Sequence, residues 1–140
     1  MLTGMLLLAL SLTKPAFILE GREAAGIGTA PWVLFFLGWA GLFTGNFMVT
    51  LVWMANPVCI LSVLYSCLGK KGKALIFSLL SLILALGFIF VNSIMAGESG
   101  IVPAGIVALR AGYYLWLASF GAVILGATIP YLKDKNYFAS

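Results

Sequence analysis

Histidine is absent from this chain, and charge of either sign is scarce: eight Lys and Arg and four Asp and Glu stand among 140 residues. Without histidine, the commonest general base, haem ligand and metal ligand of proteins is missing. No acidic residue falls in the middle of a long apolar run. That removes the titratable group on which proton-coupled transport usually depends. The two cysteines, Cys59 and Cys67, form no Cys-x-x-Cys pair of the kind used by thiol oxidoreductases. On one helix their Cα atoms would lie ~12 Å apart, beyond the reach of a disulfide, so they read as small apolar packing residues. These absences argue against an enzyme. No catalytic, cofactor-binding or metal-ligating residue is expected, and no cofactor.

What is present is apolar: 63% of residues are hydrophobic and mean hydropathy is +1.14. The charges cluster, leaving uncharged runs at 1–13, 24–69, 74–97 and 111–132. About 20 apolar residues in a helix cross the roughly 30 Å hydrocarbon core of a bilayer. Barrel strands alternate apolar and polar residues, whereas Leu79 to Leu86 is nearly continuous, so a helical bundle is expected rather than a barrel. The fold class expected is all-α, an integral membrane bundle forming one domain over 1–140. Net charge is +4, but Lys70, Lys71, Lys73, Lys133 and Lys135 sit at the ends of apolar runs. There they fix topology and meet the phosphates of membrane lipids. No basic stripe or aromatic platform for nucleic acid is present.

Four spans are expected, at about 2–19, 47–69, 74–95 and 111–132, with an interfacial or re-entrant helix at about 31–44. Met1 to Leu12 lacks the charged start of a signal peptide and reads as part of a retained first span, kinked near Pro15. The 46 residues from Ala24 to Gly69 are too many for one span. One span plus a half-embedded helix puts the five lysines on one side and Arg22 and Arg110 on the other, which the positive-inside rule favours over two spans. Both termini are then cytoplasmic.

In the segment 31–44, Trp32, Phe35, Phe36, Trp39 and Phe43 share one helical face, and Gly38, Gly41 and Gly45 the other. The aromatic face suits the headgroup region and the glycine face a close helix contact. Asn56-Pro57 is expected to interrupt the helix, with Asn56 capping the new start. Ala74, Ser78, Ser81, Ala85, Phe88 and Asn92 follow steps of four and three and form one face of the third span. Pro103 reads as the opening of a short helical lead-in. Tyr113, Tyr114 and Trp116 read as an aromatic belt at the outer end of the fourth span. Ala118, Ala122 and Gly126 repeat every four residues, the small-xxx-small pattern of close helix contact.

The remaining chemistry is uncharged. Asn46, Asn56 and Asn92 either line a polar site, most naturally at the helix break by Pro57, or hydrogen-bond between helices. The second role is the commoner one. The packing face comprises Gly41, Gly45, Ser78, Ser81, Ala118, Ala122 and Gly126.

At Trp53-Met54-Ala55-Asn56-Pro57 and at Gly112-Tyr113-Tyr114-Leu115-Trp116-Leu117-Ala118-Ser119 the chain resembles a group of small bacterial four-span membrane proteins. The resemblance implies a bacterial cytoplasmic (inner) membrane and no particular activity. The function expected is that of a non-catalytic accessory or assembly subunit of a membrane protein complex. The alternatives are a small homo-oligomeric channel or transporter with an uncharged polar path, and a membrane immunity or regulatory protein. Partners are membrane lipids and other membrane proteins, or further copies of the chain.

Overall fold

Gly69, at φ +72°, makes a tight turn and sets two long helices antiparallel. The Lys70 N–H donates to the Tyr65 carbonyl at 2.9 Å and the Gly69 N–H to the Ser66 carbonyl at 3.0 Å. These two bonds satisfy the last carbonyls of the incoming helix, and the left-handed backbone they require is one that glycine adopts without strain.

The computed structural model describes residues 1–19, 31–43, 47–91, 93–96 and 102–137. In order, the elements are α1 (Leu2–Ser11), β1 (Phe17–Leu19), α2 (Pro31–Leu37) continued by a 3₁₀ turn (Gly38–Leu42), and α3 (Phe47–Trp53). There follow α4 (Ala55–Cys67), α5 (Lys71–Leu86) continued by a 3₁₀ turn (Gly87–Phe90), β2 (Ser93–Ala96), β3 (Val102–Leu109) and α6 (Ala111–Tyr137). Among the described residues, three stretches are long and apolar enough to cross a membrane: Phe47–Cys67, Lys71–Phe90 and Ala111–Lys133.

The chain is mostly helical, but the all-α expectation omitted a small antiparallel sheet, ordered β1-β3-β2. Ser93 pairs with Gly105 and Ala96 with Val102, while Phe17 pairs with Leu109. The third helical stretch therefore stops at Phe90, short of the expected 95, and Pro103 lies within β3 rather than opening a helix. Ile106 and Val107 are β-branched, which favours a pleated strand over a helix. The first helix also ends early, at Ser11 rather than near Leu19. Pro15 disfavours helical backbone at the residue before it. The Ser11 and Thr13 hydroxyls donate to the Leu8 and Leu10 carbonyls, each at 2.7 Å, and finish the last turn.

Two seams of small residues hold the helices together. In the first, Ala55, Cys59 and Ser62 of α4 face Ala74, Ser78, Ser81 and Ala85 of α5, all buried. The Ser62 hydroxyl donates across this seam to the Ala74 carbonyl at 2.7 Å. The α5 face expected from its four-and-three spacing is thus the buried one. The second seam joins α1 to α6 with opposite chain directions. A Cβ on Gly126 would overlap Met1, one on Gly4 would overlap Val123, and one on Gly112 would overlap the Lys14 carbonyl oxygen. Gly112, Ser119 and Gly126 are seven residues apart, as are Gly4 and Ser11, so each helix presents one narrow row. Phe120 and Val123, fully buried, fill the space between the seams beside Ala55, Cys59 and Ala85.

The bundle has two unlike ends. Lys70, Lys71 and Lys73 stand at the α4–α5 turn, and α6 brings Lys133 to the same end, where Gly72 lies against the Tyr131 ring. Lys73 Nζ sits 5.7 Å from the centre of the Tyr65 ring, which itself stacks on Phe77 at 5.1 Å. The sheet and Arg110 occupy the other end. There the Arg110 N–H donates to the Ala16 carbonyl at 2.8 Å and the Gly112 N–H to the Pro15 carbonyl at 3.0 Å.

The α1–α6 seam generates a paired expectation. Gly112→Ala places a methyl against backbone that cannot swing aside, and should cost roughly 1–3 kcal/mol. Gly121 lies on the same helix with nothing within 4 Å of a Cβ. Gly121→Ala should therefore be neutral or stabilise by up to about 1 kcal/mol through helix propensity. Thermal unfolding in mild detergent measures both; equal melting temperatures would show that the close approach at Gly112 does not limit stability.

Candidate functional site

Pro57 has no N–H, so the helix that contains it loses one backbone bond to the turn before. The consequence is local: a single residue, Met54, separates α3 from α4. Hydrogen bonding continues on both sides, from Met54 N–H to the Thr50 carbonyl at 3.0 Å and from Val58 N–H to the Met54 carbonyl at 3.1 Å. Asn56 does not cap α4, which begins without a side-chain cap. Its amide oxygen instead accepts the indole N–H of Trp116 on α6 at 2.8 Å. Asn56 is buried, so this bond satisfies two groups that would each cost about 1–3 kcal/mol if left unpaired.

A second indole is fixed one helical turn earlier. Trp53 donates its N–H to the Phe35 carbonyl of α2 at 2.6 Å. Gly38 permits this approach, since a Cβ there would overlap the Trp53 ring. Gly38 thus meets α3 while Trp32, Phe36, Trp39 and Phe43 remain exposed; Phe35, expected on the same face as these rings, is instead half-buried against the hollow.

Between these two indoles lies a half-enclosed hollow of about 100 Å³, bounded by α1, the approach to β1, α2, α3, α4 and α6. Its wall includes Phe17, Phe35, Trp53, Phe88, Tyr113 and Trp116. The rings form a chain of edge and face contacts: Phe17 to Phe88 at 5.6 Å, Phe88 to Tyr113 at 5.2 Å and Tyr113 to Trp116 at 6.1 Å between centres. Trp116 meets Phe120 edge-on at 5.0 Å, tying the wall to the core. Tyr113 is 3% exposed and its hydroxyl has no hydrogen-bond partner. The Thr50 hydroxyl, on α3 next to the wall residue Val49, is also buried and without a partner.

Several expected site residues fall elsewhere. Asn46, Asn92 and Gly45 lie outside the described residues. Pro57 and Gly41 are half-buried. Ser78 and Ser81 are buried, but their hydroxyls donate within α5, to the Leu75 and Ser78 carbonyls, both at 2.8 Å. On α6, Ala118 is exposed and Ala122 half-buried, while a Cβ on Gly126 would overlap Met1. The buried row of that helix is one position round, at Gly112, Ser119, Val123 and Ala127. The aromatic belt also resolves into parts: Tyr114 faces out, but Tyr113 is buried and Trp116 half-buried. Tyr113, Trp53 and Trp116 were not read as wall residues from sequence. The signal was the pairing of Asn56 with an indole three residues before it, which places both on one face. Cys59 and Cys67 are free thiols, the first buried and the second exposed.

Among the described residues no group of His, Cys, Asp or Glu could hold a metal ion. The arrangement offers no nucleophile–base pair. What it offers is a ring-lined hollow. No protein-family model, curated protein or solved structure matches the chain.

The Asn56–Trp116 bond can be weighed by a double-mutant cycle of Asn56→Leu and Trp116→Phe. Interhelical hydrogen bonds of this kind average about 0.6 kcal/mol and reach about 1.7. A coupling energy in that range is expected from thermal or denaturant unfolding. Strict additivity would show that the bond contributes nothing to holding α4 against α6.

Proposed function

We propose that this chain is a non-catalytic membrane protein of four spans that serves as an accessory or assembly subunit of a membrane protein complex, in a bacterial cytoplasmic membrane. Three spans correspond to the long apolar helices at 47–67, 71–90 and 111–133. The first crosses as α1 with its continuation to β1. A helix of ten residues is only ~15 Å long, half the hydrocarbon core, so the backbone that follows must be satisfied by neighbours. The bonds from Gly112, Arg110 and β3 meet that need. The helix from Pro31 to Leu42 is too short to cross and lies half-embedded at the sheet end. The lysine-rich end and both termini face the cytoplasm, and Arg110 faces outward.

One observation carries the subunit reading. On the outward side of α6, Ala118 is exposed and Gly121 opens onto free space. The chain's own helices leave this strip of small residues uncovered. In lipid, where apolar surface gives helices no reason to associate, such strips are where another helix packs by close approach. The channel reading has less support. The hydroxyls of Ser62, Ser78, Ser81 and Ser119 each donate to a backbone carbonyl and are engaged in the fold rather than offered to an ion.

Purification in mild detergent should yield the chain with a second, different protein at fixed ratio. Gly121→Leu should lose that protein while its own melting temperature is unchanged. A wild-type protein that purifies only as copies of itself would overturn the subunit reading and favour the homo-oligomeric channel.

Topology has its own test in a Cys59→Ala, Cys67→Ser background. A membrane-impermeant thiol reagent applied to intact cells should label a cysteine placed at Arg110 and spare one placed at Lys70. The reverse pattern would invert the orientation.

A further inference from the structure

We propose that the lysine end of the bundle is a headgroup site for an anionic phospholipid, with Lys70, Lys73 and Lys133 around the phosphate and the tails along the neighbouring apolar surface. The proposal rests on the membrane reading above and adds to it the kind of lipid that is held.

Position makes the site. Lys70 and Lys73 flank the start of α5, and Lys133 stands on α6; all three are exposed. Gly72 lies between the first two, and a Cβ there would come within 3.8 Å of the Tyr131 ring. The start of α5 and the end of α6 therefore meet, and lysines from distant segments share one small surface. Lys73 Nζ stands 5.7 Å from the centre of the Tyr65 ring, whose face attracts a cation and steadies that long side chain. Charge here is lopsided: 70–73 and 133–135 hold four lysines besides Lys133 and one carboxylate, Asp134. The first turn of α5 contains no acidic residue.

The neighbours choose between anions. Leu68 stands just before the turn and is 68% exposed; Leu132, next to Lys133, is 51% exposed. Leu64 and Ile129, each one helical turn deeper, are exposed as well and continue the apolar surface along α4 and α6. An acidic protein segment would satisfy the cations and leave these side chains bare. A phospholipid satisfies both, because its phosphate and its tails are one molecule. A headgroup shared by the α4–α5 turn and α6 ties the two together, so its binding raises the melting temperature.

The full chain in a non-ionic detergent is titrated with phosphatidylglycerol, and with phosphatidylcholine of the same tails as the zwitterionic match. Glycerol phosphate and poly-glutamate are the anions without tails. The readout is the melting temperature. A saturable rise is expected with phosphatidylglycerol, well above that with phosphatidylcholine. An anionic lipid surface attracts each nearby lysine by about 1 kcal/mol, so Lys70→Gln and Lys133→Gln should each weaken the apparent affinity about fivefold. Lys14→Gln, at the sheet end, should leave it unchanged. Salt at 1 M screens charges beyond about 3 Å and should remove most of the difference between the two lipids. Both substituted lysines are exposed, so the variants should melt like wild type without added lipid, and a weakened response then reports on binding. Equal stabilisation by both lipids would remove the headgroup site and leave the membrane reading standing. Glycerol phosphate acting as well as the lipid would make this a site for a free phosphate, and poly-glutamate acting as well would make it a surface for an acidic protein. An equal loss with Lys14→Gln would assign the attraction to net charge instead of to this end. A chain that responds to neither lipid and stays in solution without detergent would overturn the membrane reading too.

Discussion

The backbone of Lys14 and Pro15 passes so close to α6 that position 112 has room for no side chain beyond hydrogen. Much of the sheet end depends on that one approach. It lets the Gly112 and Arg110 amides reach the Pro15 and Ala16 carbonyls, which pins the chain as it leaves α1. Pinned there, Phe17 enters β1 opposite Leu109 and is buried beside Val52 and Val91. The same approach makes Ser11, Ala16 and Phe17 one side of the ring-lined hollow, with Gly112 and Tyr113 as its neighbours on α6. Proline contributes twice, by ending α1 and by presenting an unobstructed carbonyl.

Hydroxyl groups show how an apolar interior keeps polar atoms without a water supply. Ser11, Ser78, Ser81, Ser119 and Thr128 donate to carbonyls three or four residues back on their own helices. Such bonds cost no partner on another element, and they turn a polar side chain into a small, neutral packing unit. Ser62 uses the same chemistry between helices. Tyr113 and Thr50 depart from this pattern. Tyrosine carries its hydroxyl too far from the backbone to bond its own turn.

The sequence made the long helices legible because charge is excluded from them, and charge is the easiest property to read along a chain. It made the α5 seam legible because Ala74, Ser78, Ser81 and Ala85 keep one spacing without interruption. On α6 it placed Gly126 in the seam, where it lies, but in company with Ala118 and Ala122 rather than Gly112 and Ser119. Rows of small residues at spacings of four and of seven both pass through Gly126, and spacing alone does not say which one the chain covers. The partner row on α1, Gly4 and Ser11, would have decided it, since both fall seven residues apart like their counterparts. The sheet was obscured by its apolar content: β1 and β2 continue hydrophobic runs and look like the ends of spans. The sequence Gly97-Glu98-Ser99-Gly100 between two β-prone segments was the available hairpin signal. The site was legible only in Asn56: its bond runs between helices, to Trp116 sixty residues away, the commoner of the roles left open, and not to the local turn it was expected to cap.

The two faces of α6 have different neighbours. Looking inward, Tyr113, Trp116, Phe120 and Val123 form the wall of the hollow and the core behind it. Looking outward, Ala118 and Leu125 are exposed, and among the described residues nothing lies within 4 Å of a Cβ at Gly121. A helix turns 3.6 residues per revolution, so the two rows share a backbone but not side-chain neighbours. Enlarging Gly121 adds volume on the outer side and leaves Tyr113 where it is. Removing the Tyr113 hydroxyl changes the hollow and leaves the outer strip untouched. The inner packing and a contact on the outer side can therefore be perturbed separately. A finding that Tyr113→Phe also abolishes a contact made at Gly121 would mean that α6 moves as a unit between two packed arrangements.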